Sequence, residues 1–191
     1  MKIVYFFILK FFILYFFNCK QKEVPTKEVG ISDFVKVKIS WVARDFPLSM
    51  KIYEPALQRQ VPLWETNSIK DKEKLPVSVE IFNSSFTMQP GSKKSFVLVT
   101  HNTTKEHVYF FAAPHQVTPP EFSLGFKFKC LCVNHAFQVP VGEYWYRMVE
   151  LRMSKNFRGN EIDISHDLIG LTKERMQDFS NSHHIHEHDE E

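Results

Sequence analysis

The chain reads as an all-β protein, a β-sandwich of immunoglobulin-like or cupredoxin-like type. Three observations predict this. Short alternating or continuous apolar segments recur from Phe34 to Met153. Turn signals separate them at Asn83-Ser84-Ser85, Pro90-Gly91, Asn102-Thr103, Pro119-Pro120 and Val141-Gly142. No convincing helical period occurs before residue 165. The 191 residues suit one domain plus its ends. The excess of Phe, 19 against 6 Gly, suits a small sandwich core, because each Phe buries much area.

The elements follow in order. Phe34 to Trp41 alternates apolar and polar, which predicts a strand with one buried face. Asp45 to Lys74 carries Pro47, Pro55 and Pro62 with few alternations, and is expected to contain an irregular insertion. Val77 to Ile81 alternates, and Ser95 to Val99 does so in part. Val108 to Ala113 is a short apolar run. Phe122 to Leu131 is strand-like, with Phe126, Phe128 and Cys130 on one parity, and Glu143 to Met153 is rich in aromatic and branched residues. The sandwich is therefore expected over residues 33–155. Residues 156–191 read as an extension, with a short surface helix over Asp167–Asp178 and a flexible, His-rich tail.

The amino terminus has a different character. Ile3 to Phe17 is apolar apart from Lys10, and these 15 residues fall short of the roughly 20 that span a bilayer. They suit a secretory signal over residues 1–18. Cys19 follows directly, and residues 19–32 form a charged linker. This arrangement resembles a bacterial lipoprotein signal, with Cys19 as the acylated residue. A short uncleaved signal anchor is the alternative. Either reading exports the domain and tethers it to a membrane. The lipoprotein reading puts it in the bacterial cell envelope, facing the periplasm.

Charge and motifs exclude several classes. Twenty-four basic against 22 acidic residues give no reason for nucleic-acid binding. No nucleophile elbow, P-loop, dinucleotide fingerprint or zinc-protease motif occurs, so the chain is not expected to be an enzyme.

Cys130-Leu131-Cys132 is the sharpest feature. In a strand, residues two apart share a face, so both sulfurs would lie side by side with Leu131 turned away. Two soft thiolates select a soft ion, with Cu(I) the leading candidate. A buried structural pair or a regulatory disulfide remains open at this point. His135 lies just beyond the pair and is a candidate third ligand, and His115 lies 15 residues before Cys130.

The flanking residues add a resemblance. Met88-Gln89-Pro90-Gly91, Asn102-Thr103-Thr104, Ala112-Ala113, Val117 to Glu121, the Cys pair and Pro140-Val141-Gly142-Glu143 follow one another in an order similar to the CtaG family of cytochrome c oxidase assembly proteins. The resemblance implies a membrane-tethered immunoglobulin-like domain that binds Cu(I) through Cys130 and Cys132. It also implies delivery of copper to a cytochrome c oxidase subunit at the CuB site, and sharing of copper across a homodimer. Two alternatives stand beside it. One is a cupredoxin electron carrier using His115, Cys132 and His135, since blue-copper sites take two His and one Cys. The other is a lipoprotein interaction domain without metal. His183, His184, His186 and His188 in the tail form a further candidate copper-collecting cluster. The other three of the nine histidines receive no role from the sequence.

Overall fold

A computed structural model describes residues 34–57, 61–131 and 135–178. The signal, Cys19, Cys132 and the tail histidines lie outside these residues. Among the described residues there are twelve strands: β1 (Val35–Arg44), β2 (Lys51–Pro55), β3 (Thr66–Ile69), β4 (Val77–Glu80), β5 (Ser85–Met88), β6 (Lys93–His101), β7 (Val108–Ala112), β8 (Gln116–Thr118), β9 (Phe126–Lys129), β10 (Ala136–Val139), β11 (Tyr144–Met153) and β12 (Glu161–Leu171). One short helix covers residues 173–178.

The strands form two six-stranded sheets, and the predicted all-β sandwich is the observed fold. The first sheet runs β10-β7-β12-β1-β5, with β8 also paired to β12. The second runs β3-β11-β6-β2-β4, with β9 also paired to β11. Inward rows from both sheets make the core. Val35, Val37 and Ile39 come from β1, Ile162, Ile164 and Leu168 from β12, and Trp145, Val149, Leu151 and Met153 from β11. Phe110 and Phe137 of the first sheet meet Trp145 of the second, with ring centroids 5.2–5.3 Å apart and edge-on or tilted. Full burial of each such side chain contributes about 1.5–3 kcal/mol. Aromatic residues therefore join the sheets, which accounts for part of their abundance.

The structure revises two boundaries. Residues 45–74 are more than an irregular insertion: they supply β2 and β3 and bury Phe46, Leu48, Met50 and Ile52 in the core. They also cover the outer face of the second sheet, where Tyr53, Val61, Leu63 and Ile69 pack on Val97, Val99, Tyr146 and Met148. That cover explains why β6 and β11 are buried on both faces and alternate poorly.

The sandwich also does not end at residue 155. β12 lies inside the first sheet, parallel to β1 and antiparallel to β7. Its acidic residues face a basic row on β1. Lys36 pairs with Glu161 at 2.9 Å, Lys38 with Asp163 at 3.4 Å and Arg44 with Asp167 at 2.7 Å. Charges that read as a solvated extension are one exposed row of a central strand. Asp167 to Leu171 is accordingly strand, and only 173–178 of the expected helix is helical.

Candidate metal centre

Three donor residues converge where β12, the β7–β8 junction and the end of β9 meet. The first is His166. The inward row of β12 reads Ile162, Ile164, His166, Leu168, and His166 has 0% of its surface exposed. Strand alternation holds its imidazole among aliphatic neighbours.

The second is His115, which a break in the neighbouring strand turns inward. Ala112 pairs with Leu168, and Gln116 pairs with Ser165. Residues 113–115 therefore oppose only residues 166 and 167, a local excess of one residue that acts as a bulge. The Ala113 N–H donates to the Asp167 carbonyl at 3.0 Å, and Pro114 has no N–H to continue the ladder. The His115 ring ends 5.5 Å from that of His166, edge-on at 62°.

The third is Cys130, which comes from the opposite sheet. Phe126 and Phe128 of β9 pair with Met153 and Leu151 on the inward row of β11, and Cys130 continues their parity. It is 3% exposed. Its Sγ lies 3.9 Å from Nδ1 of His115, within hydrogen-bonding distance for sulfur.

One donor atom from each of His115, Cys130 and His166 lies within 4.8 Å of the other two. A metal bound at about 2.0–2.3 Å per ligand sets donors roughly 3.3–3.8 Å apart, so modest rotamer adjustment closes the set. Aromatic rings wall the space. Trp41 stacks on His166 at 5.4 Å and 22°, Phe128 stands edge-on to it at 5.6 Å, and Phe126 lies 5.8 Å from the His115 ring. Such a dry shell fixes the imidazoles and restricts water.

The predicted site residues divide accordingly. His115 and Cys130 are brought together. His135 sits exposed before β10, its ring edge-on to Phe137 at 5.1 Å, and is not among the clustered donors. Cys132, His183, His184, His186 and His188 lie outside the described residues. Leu131 is fully buried in the main core, just past the end of β9 at Lys129. His166 is the donor that sequence reasoning missed. Its signal is present as a single His in the alternating row Ile162, Ile164, His166, Leu168.

Fold and site together define a β-sandwich domain with a His-Cys-His cluster between its sheets, two of whose three donors are buried. The model of the family described as Domain of unknown function (DUF8709) matches residues 35–171, and the chain belongs to that family. The match starts with β1 and ends with β12. No curated protein and no solved structure matches the chain.

Proposed function

We propose that this domain binds one copper ion through His115, Cys130 and His166 and hands it on as Cu(I). The observation that carries the reading is the convergence of three soft or borderline donors, two of them buried, from both sheets. A thiolate and two imidazoles suit copper better than the oxygen-seeking ions. Cys132, two residues on, is the natural incoming ligand for release, since thiolates can exchange one at a time with an acceptor's ligands. The apolar leader and Cys19 support a tethered carrier in the cell envelope. The resemblance to the CtaG family makes a respiratory cytochrome c oxidase the proposed acceptor.

One observation favours a second reading. Two His and one Cys are also the equatorial set of blue-copper electron carriers. Adding copper to the reduced full-length protein separates the two. Delivery predicts a colourless 1:1 Cu(I) complex, lost in Cys130→Ala and in His166→Leu. Electron transfer predicts a stable Cu(II) form with intense visible absorption. A protein that retains copper in neither state overturns both.

A further inference from the structure

Resting on the copper reading, we propose that Arg147 is a fixed positive charge beside this centre and makes it select monovalent Cu(I) over divalent ions such as Zn(II). The inward row of β11 reads Trp145, Arg147, Val149, Leu151, Met153, so one guanidinium interrupts an otherwise apolar face. It is 6% exposed. A buried charge is costly unless an opposite charge or full hydrogen bonding compensates it.

Its partners among the described residues are incomplete. Nη1 donates to Oγ1 of Thr66, directly opposite on β3, and the guanidinium lies 5.3 Å over the Phe137 ring. Its Nε finds no acceptor there. An ionised Cys130 would supply the opposite charge in the metal-free site. β9 runs antiparallel to β11 with Lys129 opposite Glu150, so the chain beyond it, through Cys130, heads towards the level of Arg147. Phe137, under the guanidinium, belongs to β10, the strand that resumes after the Cys segment. Arg147 thus lies one inward position before Val149 on β11, next to the level that Cys130 reaches past the Lys129–Glu150 pair. Burial pushes the guanidinium's pKa down, and negative charge at Cys130 opposes that shift.

Charge arithmetic then gives the selectivity. One thiolate and two neutral imidazoles leave a Cu(I) complex uncharged and a Zn(II) complex at plus one. Arg147 repels the second and not the first, in a site where water screens little. A second thiolate lowers both totals by one and keeps the sign of the difference.

The experiment measures Cu(I) and Zn(II) affinities of the full-length reduced protein by chelator competition. Arg147→Met removes the charge and fills the space with an apolar side chain. It should shift the Cu(I)-to-Zn(II) affinity ratio by about tenfold towards Zn(II). Arg147→Lys keeps the charge and should keep the wild-type ratio. Arg147→Gln is the neutral variant to use if the Met protein does not fold. A purely structural arginine lowers the melting temperature and leaves the ratio unchanged, which overturns the proposal while the copper reading stands. A Lys variant that shifts like the neutral one also overturns it. A wild-type protein that binds no Cu(I) overturns the copper reading and the selectivity together.

Discussion

His166 occupies a place in β12 that packing alone would give to an aliphatic residue, between Ile164 and Leu168 and against Trp41 and Phe128. His166→Leu therefore keeps the fold, because an apolar side chain suits that row. It should weaken Cu(I) binding at least tenfold, the lower end of what even supporting groups around metals contribute. His135→Ala should leave affinity unchanged, since His135 is outside the donor cluster. Competition titration of both variants checks the pair, and loss in the His135 variant with retention in the His166 variant reverses the ligand assignment. Trp41 supplies an internal reporter, because copper on the imidazole stacked beneath it should quench its fluorescence. That quenching should vanish in Trp41→Phe. At this scale the sequence revealed the thiol of Cys130 and named His115 as a candidate imidazole, because Cys is rare here and His115 lies close before it in the chain. It hid His166, since one His in a charged stretch has no motif around it.

Among the strands of the first sheet, β12 is the most connected. It pairs with β1, β7 and β8, so it holds the first sheet together and positions both imidazoles. A chain ending at residue 155 should not give a folded sandwich, which circular dichroism and amide dispersion would show; a native spectrum from that chain would contradict the topology. Gly170 near its end lets the chain from Asp45 pass very close. A Cβ there would stand 1.9 Å from the Asp45 carbonyl oxygen, so the backbone itself must move. Gly170→Ala should cost about 1–3 kcal/mol of stability in urea denaturation, and a variant as stable as wild type would refute that close approach. Alternation exposed the half-buried strands such as β1 and β9. It failed for β2 and β3, which lie among prolines, and for β12. There the outer row of Glu161, Asp163 and Asp167 mirrors the basic row of Lys36, Lys38 and Arg44. Pairing between distant segments decides such strands, and local sequence does not display it.

Across the whole molecule, the two sheets are joined by the aromatic cluster of Phe110, Phe137 and Trp145 and would be joined again by the metal. His115 and His166 belong to the first sheet, whereas Cys130 and Arg147 come from the second side. An ion bound across them stabilises the folded state by mass action. Free Cu(I) at 100 times its dissociation constant should add about 2.7 kcal/mol. Thermal unfolding with and without Cu(I) measures this, and Cys130→Ala should abolish the gain. The sandwich class was readable from the sequence because turn spacing and alternation are local. The donor set was readable only in part, because it is assembled by contacts between strands far apart in the chain. X-ray absorption of the Cu(I)-loaded, reduced, full-length protein tests the central claim most directly. The account predicts two imidazole nitrogens together with sulfur around the copper, with the imidazole contribution reduced in His166→Leu. Copper bound by sulfur alone, or a spectrum unchanged by that substitution, would contradict it.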